Sequence, residues 1–220
     1  MIPDSALIFT FILSALLLTL APGPDIVYVA MRGLAQGWRA GLVAALGLIT
    51  GIFVHITLAA LGLSAVLASS PVLFAMVKYA GAAYILYVGW QIAKSGPVKM
   101  EEAAATPRFT LSHIYRQTVL MNIMNPKVAL FFLAFLPQFI DATKGHVTAQ
   151  FIFFGVLFQL SALVVMASVG LFAGSIASLF RSKAGDGRWM NRIAGGGVML
   201  IGAAIPAKEL WAFLSETYSN

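Results

Sequence analysis

Charged residues are so sparse in this chain that they punctuate it, and the apolar runs between them define its elements. Ser5 to Pro24 carries no charge for 20 residues, long enough to cross a bilayer; Asp25 interrupts the run, and Ile26 to Met31 carry it on to Arg32. Ala40 to Val77 is uncharged for 38 residues, too long for one span, and Ser69-Ser70-Pro71 inside it reads as a tight turn between two helices. A third helix is expected from about Val72 to Lys94. Ser95 to Ser112 is a long polar linker. Beyond it, Gln117 to Ile140 has Lys127 as its sole charge, and Gly145 to Phe180 holds a fifth helix with its lead-in. Ser182 to Arg188 is a short polar turn, and Ile193 to Ala207 is the core of a sixth helix.

This pattern predicts an all-α integral membrane protein with six transmembrane helices. Residues 1–94 form a first three-helix unit, 95–112 a cytoplasmic linker and 113–220 a second three-helix unit. Composition agrees: 60% of residues are hydrophobic and 10% charged, and mean hydropathy is +0.90. A soluble domain typically carries about 25% charged residues, so the lipid bilayer is the expected surrounding. The opening Met1-Ile2-Pro3-Asp4 lacks the basic stretch of a cleaved signal peptide, so the first helix is expected to stay. There is no cysteine, hence no disulfide framework and no thiolate metal site.

The formal charge of +6 does not point to nucleic acid, because the cations cluster at helix ends. Arg32, Arg39, Lys94, Lys99, Arg108, Arg116, Arg181, Lys183, Arg188 and Arg192 fall in the loops after helices one, three and five. Only Lys78, Lys144 and Lys208 fall on the other side. Basic loops stay in the cytoplasm. The expected location is therefore a bacterial inner (plasma) membrane, crossed several times, with both termini periplasmic.

Three helices followed by three place equivalent helices in opposite directions, and the sequence carries traces of such an inverted repeat. Gly23-Pro24-Asp25-Ile26-Val27 aligns with Asn125-Pro126-Lys127-Val128-Ala129, and Gly51 to His55 aligns with Gly155 to Gln159. Lys78-Tyr-Ala-Gly81 likewise aligns with Arg192-Ile-Ala-Gly195. The offsets are 102, 104 and 114, so order is preserved and the extra residues fall in a loop. Inverted repeats are common in secondary transporters, with the substrate site at broken helices near the midplane.

The chemistry concentrates at two such breaks. Ala21-Pro22-Gly23-Pro24-Asp25 places two prolines inside a span. Each removes a backbone donor and clashes with the preceding turn, so the helix must break or kink. Lipid tolerates freed backbone groups only where they face protein or a wet cavity. Asn125-Pro126-Lys127 is the counterpart, with Pro126 freeing the carbonyl near Asn122 and Asn125 supplying a side-chain amide. Asp25 is seven residues from Arg32 and Lys127 eleven from Arg116, depths of roughly 10 and 16 Å along a helix. The two can therefore form an ion pair or share one watery cavity. The pair reads either as a static device that sets helix register or as a group responsive to protons or substrate. His55, the histidine within a span, reads as a hydrogen-bonded packing residue or as a proton relay. Gln159 is a further polar residue for a cavity wall. Gly47-xxx-Gly51 is a close-packing face. No HExxH, Walker loop or GxSxG occurs, and Ser112-His113 falls in a loop without partners; neither enzyme activity nor a cofactor is expected.

Taken together, these segments resemble the lysine-exporter (LysE/RhtB-type) family of amino-acid exporters. The most specific parts are Ala21-Pro22-Gly23-Pro24-Asp25 and Asn125-Pro126-Lys127 followed by Val-Ala-Leu-Phe-Phe; the stretch from Arg32-Gly33 to Gly37-Trp38-Arg39-Ala40-Gly41 also fits. The resemblance implies efflux of threonine-, homoserine- or lysine-like amino acids. It also implies that the proton gradient or the membrane potential drives export, with H⁺ as the expected coupling ion. By that match, Pro22, Gly23, Pro24, Asp25, Asn125, Pro126 and Lys127 are the substrate- or ion-binding residues, with His55 and Gln159 beside them. The reading leaves room for a homo-oligomer. The alternative is a metal or other inorganic-ion exporter, which one intramembrane Asp and one His serve poorly.

Overall fold

Asp4 opens the first helix by accepting a hydrogen bond from the Ala6 amide (3.4 Å), as a short acidic side chain does for a free N-terminal N–H. The computed structural model describes residues 3–21, 23–94 and 107–182, with 192, 193, 195–197, 199–200 and 203 beyond them. Pro22, the linker over 95–106, the polar turn from 183 on and most of the expected sixth helix lie outside the described residues. Helix α1 (Ser5–Leu20) gives way to α2 (Pro24–Gln36). Gly37 alone links α2 to α3 (Trp38–Leu58), at φ +86°, a value glycine adopts without steric cost. α3 loosens into a π-helical turn at Ala59–Leu63 and ends in α4 (Ser64–Ser69). The expected turn follows. Ser70 is extended, and its hydroxyl accepts from the Leu73 amide (3.2 Å) at the start of α5 (Pro71–Lys94).

Thr110 caps α6 (Leu111–Ile123), and α7 (Pro126–Leu130) continues through a π-helical turn at Phe131–Phe135 and a 3₁₀ turn at Leu136–Phe139. Helix α8 (Val147–Ser182) is long and bends at Phe172, where glycines at 170 and 174 flank non-helical torsions. Between them Asp141 receives hydrogen bonds from the Thr143 hydroxyl and amide, which hold its carboxyl below the usual carboxylate range.

Two readings of the loops change. The fourth helix begins at Leu111 rather than Gln117, because the Thr110 hydroxyl accepts from the His113 amide (3.3 Å) and so supports a turn that carries Arg116. Ser112 and His113 consequently lie in a helix, and the His113 ring packs 4.7 Å from that of Phe109. Arg39 likewise lies inside α3.

Trp38–Val66 and Val147–Ala173 are each long and apolar enough to cross a membrane. Counting each of the two bent helix pairs as one span raises the number to four among the described residues. Phe9, Leu13, Leu58, Leu61, Leu120, Leu160 and Val164 are exposed on the outside of the bundle, an apolar surface that suits lipid better than water. Inside, the chain builds two cores. One is aromatic, with Phe11, Phe131, Phe135, Phe139, Phe154 and Phe158 in mutual ring contact at 4.6 to 6.0 Å. The other is made of Val29, Ala40, Ala44, Ala45, Leu48, Ile114 and Met166.

Glycines bring the helices around the second core close together. A Cβ at Gly41 would stand 2.4 Å from the Gly170 carbonyl oxygen, so α3 and α8 touch backbone to backbone. Gly47 and Gly51 make room on α3 for Thr118 and Asn122 of α6, the packing face the four-residue spacing predicts. Gly89 of α5 meets Gly195 in the same way.

Candidate functional site

Both predicted breaks are present, and the fold sets them against each other. α1 and α2 meet at 61°, and α6 and the limb from Pro126 to Phe139 meet at 42°. At each break a proline is the first residue of the new helix: Pro24 follows Gly23, and Pro126 follows Asn125. Asn125 caps its own helix, its Oδ1 accepting from the Lys127 amide (2.9 Å). Gly23 has no side chain to do the same.

The other end of the Asn125 amide reaches across. Its Nδ2 donates to Asp25 Oδ2, joining the second break to the first. Asp25 is 2% exposed and Asn125 4%. Lys127 also crosses over, its ammonium donating to the carbonyl oxygens of Leu18 and Ala21, 3.3 Å each. The residue four beyond Leu18 is Pro22, which has no N–H, so Lys127 covers a carbonyl that the helix itself cannot satisfy. Lys127 and Asp25 therefore share a cavity instead of forming a contact pair.

His55 performs the matching service at the second break. The residue four beyond Asn122 is Pro126, and His55 Nε2–H donates to the freed Asn122 carbonyl (3.0 Å), which also accepts from the Asn125 amide (2.9 Å). The ring stacks on Phe132 at 5.8 Å. A hydrogen bond and a ring contact of this kind suit a packing residue and leave the proton-relay reading of His55 open to test. Gln159 donates to the Ile49 carbonyl (3.1 Å) from α8. Neither His55 nor Gln159 lines the cavity, whereas Asp25 and Lys127 do.

That cavity lies where the two cores meet. Its polar wall is Asp25, Lys127, Asn122 and Thr19; its apolar wall is Leu18, Leu48, Ile49, Ile52, Val128, Phe158, Ala162 and Met166. It measures about 20 Å³, the space of one water. No group of three or more His, Cys, Asp or Glu that could hold a metal occurs among the described residues.

Asn122 and Thr19 are cavity residues that the sequence reading did not single out. A polar side chain in an apolar span is itself a signal, and Asn122 carries it.

A second missed cluster lies at the far end of α2. Arg32, expected as a loop cation, is 4% exposed. Its guanidinium lies over the rings of Tyr28 (4.9 Å) and Phe109 (4.4 Å) and donates to Gln36 Oε1 (3.1 Å) and the Pro107 carbonyl (2.8 Å). Gln36 holds both backbone groups of Phe109, and the Tyr28 hydroxyl donates to Gln117 (2.6 Å). These contacts fasten the approach to α6 over the end of α2.

Comparison with known proteins identifies the family. The chain matches the profile of LysE type translocators over residues 16–207. It is 34% identical over 178 residues to an uncharacterized membrane protein of Vibrio cholerae serotype O1, covering 78% of this chain and 83% of the relative. It is 29% identical over 172 residues to a leucine efflux protein of Enterobacter sp. (strain 638), covering 78% and 81%. A leucine efflux protein of Salmonella choleraesuis is 32% identical over 143 residues, covering 65% and 68%. No solved structure matches. The length of the match leads to one conclusion: the chain belongs to the LysE type translocator family.

Proposed function

We propose that this translocator exports amino acids with leucine-like side chains across a bacterial inner membrane, exchanging them for protons. The observation that carries the proposal is the composition of the cavity. A carboxylate and an ammonium from opposite breaks share its wall with branched or bulky apolar side chains. A zwitterion with an apolar side chain offers the complement of both: its ammonium suits Asp25, and its carboxylate suits Lys127. A metal ion fits less well, because the Lys127 charge repels a cation and hard cations want several carboxylates. The leucine efflux relatives support the same choice of substrate.

Leucine is far larger than one water, so the site must open before it loads. The fold offers two seals. The Arg32, Gln36 and Tyr28 contacts close the end of α2, and the phenylalanine core closes the opposite side. Alternating release of the two seals is the working cycle, with the breaks as the hinge region. Asp25 holds either the substrate ammonium or a proton, which makes export and proton entry mutually exclusive at one group. In this reading the chain has six spans in two inverted repeats with both termini periplasmic. The equivalent placement of the two breaks and the unequal distribution of Lys and Arg support it.

The test is efflux of radiolabelled leucine from preloaded cells or proteoliposomes under imposed gradients. Leucine should leave faster when the outside is acidified, and Asp25→Asn should abolish that response. Efflux indifferent to the protein, or metal tolerance without leucine efflux, would sink the proposal. A C-terminal alkaline phosphatase fusion should be active and a fluorescent-protein fusion dark.

A further inference from the structure

Four buried side-chain atoms lack a hydrogen-bond partner among the described residues, and two of them, Asp25 Oδ1 and Asn122 Oδ1, belong to residues that line the cavity. Both residues are 2% exposed. Asp25 Oδ2 accepts from Asn125, and the Asn122 carbonyl accepts from His55 and from the Asn125 amide. Thr19, the remaining neutral polar group of the wall, donates its hydroxyl to the Ala15 carbonyl (2.7 Å). Lys127 donates to α1 carbonyls instead. Buried acceptors without donors are rare and costly, and native structures keep them where a ligand or water supplies the donor.

We infer that Asn122 is a substrate-binding residue that, with Asp25, reads the primary α-ammonium of the exported amino acid. The inference rests on the amino-acid reading and adds to it an orientation and a filter. An ammonium has three N–H donors; the Asp25 carboxylate takes one with its charge, and the Asn122 oxygen takes another by direction. The substrate carboxylate then faces Lys127, and its side chain faces Ile49, Ile52, Phe158, Ala162 and Met166. Gly51 makes room for the Asn122 side chain against α3, because a Cβ there would stand 2.9 Å from Asn122 Oδ1 and 2.7 Å from Asn122 Cβ. A carboxylate alone would accept any cation that fits. The added amide oxygen discriminates against amines whose N–H groups are replaced by methyls.

The experiment measures binding to the purified full-length protein in lipid nanodiscs. The ligands are leucine, N,N-dimethylleucine, isoamylamine (leucine without its carboxylate) and 4-methylpentanoate (leucine without its ammonium). Wild-type protein should prefer leucine to N,N-dimethylleucine by about tenfold or more, the range for losing a hydrogen bond to a charged group. Asn122→Ala keeps the Cβ that packs on Gly51. It should weaken leucine and isoamylamine by about tenfold and leave 4-methylpentanoate unchanged. Equal weakening of all three would assign Asn122 a packing role and overturn the inference, as would no weakening. If Asn122→Ala fails to fold, the wild-type comparison decides alone: equal affinity for leucine and its dimethyl form overturns the inference. Wild-type protein that binds none of the four would instead remove the amino-acid reading, and the inference with it.

Discussion

The two breaks use the same residue for the same purpose, yet they are not built alike. At the second, a single proline frees one carbonyl, and two groups cover it: the Asn125 backbone amide beside it and His55 of α3. Asn125 also caps the helix that follows. At the first, two prolines flank a glycine, the bend is sharper, and no side chain caps α2. Its cover comes from across the interface, from Lys127 and Asn125 of the other break. The second break is thus held by its own residues and by α3, and the first by the second break. A proline kink need not be a hinge; what makes one soft is where its replacement hydrogen bonds come from.

The sharpest way to break this comparison is to remove the shared support. Lys127→Met leaves the Leu18 and Ala21 carbonyls without their donor, and each buried unmet acceptor costs about 1–3 kcal/mol. Leucine efflux should fall below detection, and the purified protein should melt earlier. Asp25→Asn should also stop efflux, yet it keeps an oxygen for Asn125 and should melt close to wild type. The two groups share one cavity without a salt bridge, so the double variant should regain only a small part of the stability that Lys127→Met loses. Full recovery in Asp25→Asn/Lys127→Met would mean that the loss came from an unpaired charge, and the account of Lys127 as a carbonyl cover would fall.

A smaller effect is expected from the prolines. Pro126→Ala restores the only N–H missing from the second break, whereas Pro24→Ala leaves Pro22 in place at the first. The former should allow α6 and α7 to straighten and reduce efflux about tenfold, and the latter less, since Pro22 still withholds its N–H from the first break. The cysteine-free chain permits clean spin-label pairs across each bend. Equal straightening at both would erase the distinction between them.

His55→Ala should be milder again. The Asn122 carbonyl keeps the Asn125 amide, so about 1 kcal/mol of stability is at stake. The pH profile of efflux should keep its shape. A lost acid response would return His55 to the proton-relay reading.

The breaks were legible in the sequence because their cause is local: proline lacks an N–H wherever the chain takes it. The turn at Ser69-Ser70-Pro71 and the Gly47 and Gly51 face were legible for similar reasons. Asn122 was only half visible. Its freed carbonyl follows from Pro126, but its orphaned side-chain oxygen exists only because α2, α3 and α6 converge. Arg32 misled for the opposite reason. A lone cation after an apolar run marks a membrane boundary by statistics, and nothing local shows that Pro107 and Phe109 return to enclose it. The π-helical turns at Ala59–Leu63 and Phe131–Phe135 leave no trace in apolar periodicity, since one extra residue per turn shifts a face that is apolar all round.

The smallest predicted effect separates the two duties of Lys127. Gly23 sits at φ −156°, ψ 176°, extended backbone open to any residue, so its value lies in the space beside it. A Cβ there would stand 3.2 Å from Lys127 Nζ and 3.9 Å from Lys127 Cε and the Ala21 carbonyl oxygen. The group that must yield is the tip of a flexible side chain, and a shift of a few tenths of an ångström suffices. Gly23→Ala should therefore melt no earlier than wild type. It could gain about 0.4–1 kcal/mol by restricting the unfolded chain. The displaced ammonium meets the substrate carboxylate less well, so the KM for leucine efflux should rise a few-fold with the maximal rate nearly unchanged. A melting loss as large as that of Lys127→Met would show that the carbonyl cover tolerates no displacement, and the two duties could not then be told apart at this position. An unaltered KM would show instead that the ammonium does not reach the substrate from above Gly23, and Lys127 would be left with the structural duty alone.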